Sequence, residues 1–566
     1  MKTKSILLLI CALCVSPLFA QNKYYVNETK GSDTNDGLSW SNAFATLQPA
    51  LEKAVAADEI WVAAGTYLPT KAYLPASISN ISAVDDNRYR SFVLPKGVQL
   101  YGGFPATATD ATGMAQRNWV ANPTLLSGDF NNDDEDNFTN MIDNACHVLI
   151  IIEGDAQTVV DGFTISGGNA NGNNETVSID GTPVYGSYGG GIFASVINGS
   201  METSPTLRNV IIENNNAIDD GGGFYNYAHR GEANPTIINA IIRNNKAGYS
   251  GKNTPGTGGY GGGIYNSGVT KASPLLTNVI ISGNDAERLG GGFYCYSERN
   301  IAAPVLTNVL ISGNSAHDAG GMYCYTIADK TAPVLINVSI VGNKAVDDGA
   351  GLACLSGTGT SAPEIRNSVL WGNKCTGNTT NQNPNLFNLA DTGNPIIHHS
   401  FIEGEAASAS AGNLNGTLDP QFVSAVHADF APTSDGNYQL NKTSPLINKG
   451  KNEFNTLTID LADKTRVIDQ TIDIGAYEYP ELGGGSNDDT SNNEIQIENG
   501  RVWANAGNLY VKVETATTIR IYTVDGALFQ QINNVAEGTK AISLPAGIYF
   551  VSLNDDVKAK IFVPFQ

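Results

Sequence analysis

The sequence predicts an all-β protein whose bulk is a parallel β-helix, a solenoid with rungs of thirty or so residues, and three observations support this. The first is a recurring segment: LRNVIIENNNA from Leu207, IINAIIRNNKA from Ile237, LTNVIISGNDA from Leu276, LTNVLISGNSA from Leu306, LINVSIVGNKA from Leu335 and IRNSVLWGNKC from Ile365. Its leading asparagines, Asn209, Asn239, Asn278, Asn308, Asn337 and Asn367, are separated by 30, 39, 30, 29 and 30 residues. The second is a glycine cluster behind every copy but the last: Gly221 to Gly223, Gly261 to Gly263, Gly290 to Gly292, Gly320 and Gly321, then Gly349 and Gly351. The third is period-2 patterning between Gly and Asn breaks with no helical periodicity, which sets helical repeats aside. A repeat of this length with several short strands fits one coil of a β-helix, stacked on the next at about 4.8 Å. The 39-residue interval is then a rung with a loop inserted around YSGKNTPGTGGY.

Comparing copies assigns inside and outside, because successive side chains of a strand point to opposite faces. The column Thr164, Ile211, Ile280 and Ser339 tolerates hydroxyls and should face out. Its neighbours Phe163, Val210, Val279, Val309 and Val338, and Ile165, Ile212, Ile281, Ile311 and Ile340, should face in. After the glycines, Ile192, Phe224, Ile264, Phe293, Met322 and Leu352 are uniformly apolar and should also face in. Alternation then puts Phe193, Tyr225, Tyr265, Tyr294 and Tyr323 outside, Asn226, Asn266, Cys295, Cys324 and Cys354 inside, and Tyr227, Tyr296 and Tyr325 outside. The cysteines are expected to form a buried thiol ladder. Three stacked residues cannot all pair, and no CxxC spacing points to zinc.

The two ends differ from the repeats. Residues 1–20 carry Lys2 and Lys4, an apolar run from Ile6 to Val15, then Pro17 and Ala20, the pattern of a secretory signal peptide cut before Gln21. A bilayer span needs about 18 apolar residues or more, and neither this run nor any later one is that long. In TLQPALEKAVAAD, Leu47, Leu51, Ala54 and Val55 share one helical face, which suits a helix capping the open end of the solenoid. The solenoid is expected over 21–480: cap and first rungs at 21–150, regular repeats at 151–400, and terminal rungs at 401–480. A Gly/Ser/Asn/Asp-rich linker at 481–492 precedes a run of short strands at 493–566, expected to form a separate small β-sandwich.

The net charge of −22 becomes −24 once the two lysines of the leader are removed. Such a surface repels phosphate backbones and anionic lipid, so nucleic acid is not an expected partner, whereas cations and neutral glycans are compatible with it.

Several stretches resemble known material. YYVNETKGSDTNDGLSWSNAFATLQPALEKA with DEIWVAAGTY, VQLYGGF, TLLSGDFNNDDED and VVDGFTISGGNA resemble secreted right-handed parallel β-helix proteins of the pectate-lyase-like fold. DPQFV from Asp419, SPLINKG from Ser444 and TIDIGAYEY from Thr471 resemble the ending of such a β-helix before an interchangeable anchoring domain. TVDGALF, LPAGIYFVSL and the closing lysine-rich strand resemble, more weakly, the C-terminal sorting domain of the type IX secretion system. The resemblance implies a right-handed coil, export by outer-membrane secretion machinery, and a place at the cell surface or outside the cell. It implies no single activity, since this fold carries lyases, hydrolases, adhesins and spikes alike.

Three groups of residues are candidates for chemistry. Pectate-lyase-like enzymes hold acids, and often a basic residue, on the outer face of adjacent rungs. Here the turn columns before the glycines bring Arg288, His317 and Asp347 into register beside Asp318 and Asp348. Carboxylates one rung apart, at about 5 Å, suit Ca²⁺ or acid/base work on a glycoside; Asp is equally at home in turns for local hydrogen bonding. Neither an NTD nor a GHG motif accompanies them. The outward tyrosines, Tyr225, Tyr265, Tyr294, Tyr323, Tyr296 and Tyr325, offer either platforms for sugar rings or a stabilising aromatic stack. In SGDFNNDDEDN, Asp129, Asp133, Asp134 and Asp136 are candidate Ca²⁺ ligands or simply a solvated acidic loop, for the spacing is not that of an EF-hand. The glycine clusters are attributed to backbone crowding rather than phosphate binding, since no Lys-Ser or Lys-Thr follows them.

The sequence therefore points to a secreted or surface-displayed protein that binds or adheres to polysaccharide or surface glycan. The alternatives are a polysaccharide lyase or glycoside hydrolase working on the outer face, and a structural spacer. Protein recovered from the native host is expected to begin at Gln21 and to lie outside the cytoplasm; an intact mass that retains Met1 would contradict this.

Overall fold

The computed structural model describes residues 21–74, 86–172, 176–196, 202–248, 258–377, 383–389, 393–468 and 470–480, and, further on, 495–497, 500–505, 508–513, 517–523, 528–544, 547–553 and 556–563. The expected leader at 1–20 and the expected linker at 481–492 lie outside them. Two compact units divide the chain, Met1–Glu481 and Leu482–Gln566.

The first unit is a right-handed parallel β-helix. A regular rung runs through Ile264–Gly268, Lys271–Ala272, Leu275–Ser282 and Asp285–Ala286. Each strand pairs in parallel with its copy one coil on: Ile264 with Phe293, Lys271 with Ile301, Leu275 with Val305 and Asp285 with Ser315. Four parallel sheets of 17, 9, 7 and 6 strands result, enclosing a single apolar core. The inward columns lie where alternation puts them: Val279, Ile281, Val309, Ile311, Phe293 and Met322 are fully buried, as are Asn226, Asn266, Cys295, Cys324 and Cys354. All three column cysteines are free thiols.

Asparagine holds the coils in register in two ways. The leading asparagines adopt left-handed backbone, φ between 48° and 55°, and bend the long strand in its middle. Their carboxamides link rung to rung on the outside, as in Asn278 Nδ2 to Asn239 Oδ1 at 3.1 Å. A second column, Asn215, Asn245, Asn284, Asn314, Asn343 and Asn373, is buried. Each Nδ2 donates to the Oδ1 of the next, at 2.9–3.0 Å along the column, and to a carbonyl of the preceding rung, as in Asn284 to Ile242 at 2.9 Å. Each Oδ1 also accepts the backbone N–H of the asparagine before it, as Asn314 does from Asn284 at 2.9 Å. The glycine columns follow from this packing. A Cβ at Gly292 would lie 2.7 Å from Gly321 O and 3.0 Å from Asn314 Nδ2, and Gly290 sits at φ +65°.

The ends depart from expectation. The capping helix spans Gln48–Lys53 and buries Leu47, Ala50 and Leu51, but it stops before Val55, which is exposed in the turn leading to Glu59–Ala63. At the other end the coil stops at Phe401–Ile402, so rungs do not continue through 401–480. Instead the chain doubles back as a strap over the outer face of the last rungs. Ala476 N donates to Ser339 Oγ at 3.0 Å, Gly475 N to Asn367 O at 2.8 Å and Asn308 Nδ2 to Ile459 O at 2.8 Å. Beneath it Leu310, Val341 and Val369 pack on Phe422, Tyr438, Leu446 and Ile474. Outward positions of these rungs are apolar because the strap needs a dry face. Among the described residues no helix is long and apolar enough to cross a membrane.

The second unit consists of two four-stranded antiparallel sheets. One joins Ile495–Ile497, Gly500–Asn505, Asn508–Val513 and Gly538–Ser543; the other joins Leu528–Val535, Thr517–Thr523, Gly547–Leu553 and Asp556–Val563. Val502, Leu509, Val511, Ile519, Ile521 and Val551 form its separate core.

Replacing Asn284 by Ala would leave the buried Asn245 N–H without its acceptor and take one donor each from Ile242 O and Asn314 Oδ1. At about 1–3 kcal/mol for an unsatisfied buried group and about 1 kcal/mol for each further hydrogen bond lost, a loss of roughly 3–5 kcal/mol is expected, against less than about 1 kcal/mol for Asn239→Gly, an exposed position whose φ of 50° glycine accepts. Denaturant unfolding of the two variants measures the difference.

Candidate functional site

The tyrosine column lies on the outer side of the sheet, away from the core. Phe193, Tyr225, Tyr265, Tyr294 and Tyr323 stack ring on ring, with centroids 5.3, 4.8, 5.3 and 5.7 Å apart and planes within 22°. The column is not the open strip expected of it. Tyr225, Tyr265 and Tyr294 are buried, and Tyr323 is half-buried. The cover includes an antiparallel hairpin, Thr176–Ile179 with Thr182–Tyr185, whose Val177, Ile179 and Val184 join the tyrosines in a second apolar cluster. Its turn residues Asp180 and Gly181 both have positive φ, 51° and 80°. Asp-Gly between alternating runs is the strongest short hairpin signal, and it is present in TVSIDGTPVY.

Open aromatic surface falls instead to the next outward column. Tyr227, Tyr296 and Tyr325 are half-buried, and the rings of Tyr296 and Tyr325 stack at 5.8 Å and 21°. In strand register this column reads Tyr227, Ser267, Tyr296, Tyr325 and Leu355.

The turn group assembles in part. His317 Nδ1 lies 3.4 Å from Asp318 Oδ2 and 3.8 Å from Asp347 Oδ2. Asp318 Oδ1 accepts the backbone N–H of Asp348 at 3.3 Å. Burial, and then the charges of Asp318 and Asp347, hold the Asp348 carboxyl above its ordinary range. Arg288 does not join this group. Its Nη1 donates to Tyr260 Oη at 2.9 Å and its guanidinium lies over the Tyr260 ring at 5.5 Å, while Tyr260 stacks on Tyr294 at 5.1 Å. An arginine beside an aromatic ring gains a cation–π contact that an exposed histidine cannot match. The charged group and the tyrosines are nevertheless contiguous, for Asp318 is the leading charge acting on Tyr323.

Three rungs before Asp318 the same column holds Asp220, which is buried and accepts from Tyr260 N at 3.0 Å. Burial above all, with the Asp219 charge adding to it, pushes this carboxyl up to about 8.

The acidic loop folds on itself: Ala145 N donates to Gly128 O at 2.9 Å, closing residues 128–145 into an Ω-like loop. Asp129, Asp133 and Asp143 each turn one oxygen into a cluster within 4.8 Å of one another. Asp134 lies alongside, its N–H on Asp129 Oδ2 at 3.3 Å and its Oδ2 accepting from Asn144 Nδ2 at 2.8 Å. Asp136 opens the short turn Asp136–Phe138, and its side chain lies outside the described residues. Asp143 and Asn144 were not legible as members, because they lie beyond the run of acids and the loop closure brings them back.

No family model and no curated protein matches the sequence. Similar solved structures include pectate lyase Pel9A, 13% identical with a TM-score of 0.43 over 82% of this chain and 98% of that one. A rhamnogalacturonan lyase is 11% identical with a TM-score of 0.29 over 74% of this chain and 97% of its own. The GH136 lacto-N-biosidase from Eubacterium ramulus is 12% identical with a TM-score of 0.28, over 67% of this chain and 68% of that one.

Asp220 sets a pH dependence. Its folded-state carboxyl keeps a proton that an unfolded chain, with an ordinary value near 3.8, releases, so its contribution is intact below that value and is lost as pH rises through about 8. Asp220→Asn is expected to match the wild type in acid and to melt at a higher temperature at alkaline pH. Parallel melting-temperature profiles for the two proteins would contradict this.

Proposed function

We propose that this protein is exported and displayed outside the cell, where it holds a glycan chain along the outer face of its β-helix. The observation that carries this reading is the aromatic row Tyr227, Tyr296 and Tyr325, half-open on strands stacked in register. Tyr323, whose ring centroid lies 6.5 Å from that of Tyr325, links it to the polar group of His317, Asp318 and Asp347. An extended chain laid along the solenoid axis would meet tyrosine faces at several rungs, with hydroxyls and charges at the edge to orient its hydroxyl groups. The buried column of Tyr225, Tyr265 and Tyr294 flanks it two residues back along the strands, with centroids 6.0 Å apart for Tyr225 and Tyr227 and 6.2 Å for Tyr294 and Tyr296. The charge of −22 favours a neutral glycan over a polyanionic one. A second reading, glycoside cleavage, draws on His317 between two carboxylates with the Asp348 carboxyl held above its ordinary range.

Each stacked ring contributes about 0.5–1.5 kcal/mol by analogy with aromatic pairs. Tyr296→Ala with Tyr325→Ala is therefore expected to weaken binding on a glycan array roughly five- to 150-fold while leaving the melting temperature within a few degrees. Unaltered binding would remove the row from the site. Product formation on a panel of neutral and acidic polysaccharides, lost in His317→Ala, would establish cleavage instead.

A further inference from the structure

We propose that the loop closed by Gly128 and Ala145 is a divalent-cation site of the calcium type, with ligand oxygens from Asp129, Asp133 and Asp143 and with the unpaired oxygens of Asp134 and Asn144 alongside them. The carboxylate oxygens of the first three lie within 4.8 Å of one another. That is no more than the separation, about 5 Å, of oxygens on opposite sides of a cation whose metal–oxygen distances are about 2.3–2.6 Å.

A cluster of acids on a surface loop would not by itself make a site, and here a second observation points to a ligand. Asn144 is fully buried and its Nδ2 is engaged twice, with Asp134 Oδ2 at 2.8 Å and Gly167 O at 2.7 Å, yet its Oδ1 is buried with no hydrogen-bond partner. Asp134 Oδ1, on the carboxylate that Asn144 grips, is likewise buried without a partner. A buried acceptor left unpaired is uncommon in folded proteins. Two on adjoining side chains, next to three converging carboxylates, ask for a positive charge rather than for another acceptor.

The loop is already shaped for this. Asn131 N spans Asp129 Oδ1 at 3.2 Å and Asp143 Oδ2 at 3.1 Å, drawing together acids that lie fourteen positions apart. All the donors are carboxylate or amide oxygens, with neither His nor Cys among them. This selects a hard ion, and a flexible loop with mixed ligands suits calcium better than the strict octahedron of magnesium.

The test is calcium chloride titrated into the full chain, previously stripped with a chelator, by calorimetry and by thermal melting. One ion per chain is expected at this loop, with a rise in melting temperature that the chelator reverses. Asp133→Asn changes an exposed side chain and should leave the fold intact while weakening binding by about an order of magnitude or more. Asp347→Asn, in the other acidic group, should bind as the wild type does. Absence of heat and of any melting shift up to millimolar calcium would overturn the proposal. So would loss of binding in Asp347→Asn with retention in Asp133→Asn.

Discussion

The buried carboxamide line from Asn215 to Asn373 is the constraint on which the rest of the solenoid depends. Each side chain satisfies a backbone carbonyl of the rung behind, and its oxygen takes both an N–H and a side-chain donor from the adjacent rung. A corner in a β-helix would otherwise leave backbone groups unpaired in a dry interior. Because an asparagine can pair with its neighbour only at the proper height, the line also fixes register. A slip of one residue would put every carboxamide against an aliphatic side chain and every Phe or Ile of the adjoining strand on the wrong face. The glycines opposite the line exist because the carboxamides occupy the volume that a Cβ would need.

This explains why the coil was legible in the sequence and other parts were not. Repetition exposes any residue that performs the same task in each rung, so the inward Val, Ile and Phe columns, the Cys column and the crowded glycines could all be read by comparing copies. What occurs once has no column to reveal it. The hairpin at Thr176–Tyr185 is a single insertion that decides whether Tyr225 meets solvent, and only its Asp-Gly turn announced it. The strap over the last rungs was equally hidden, although apolar Leu310 and Val341 at nominally outward positions were its trace. Arg288 shares a column with His317 but not its environment, because register sets where a Cα lies and not which neighbour a long side chain chooses.

The same distinction separates the two acidic features. At the turns, His317, Asp318 and Asp347 are half-open to solvent and come together because the rungs stack. In the loop at 128–145, the acids are brought together by closure of an irregular segment, at the expense of leaving buried oxygens unpaired. A solenoid can place polar groups cheaply along its outer turns, whereas concentrating several charges behind one another needs a loop that departs from the repeat.

The strap also bears on how the β-helix responds to tension. Force applied at residue 480 does not reach the final coil first. It enters a segment laid across the sides of several rungs and tied to Ser339, Asn367 and Asn308, with Phe422, Tyr438 and Ile474 seated in their outer face. Such a load is shared in shear by many contacts at once, whereas a bare terminal coil would be peeled away one hydrogen bond at a time. The fold is thus fastened at the end of its coil like a rope lashed along a mast rather than glued to its tip.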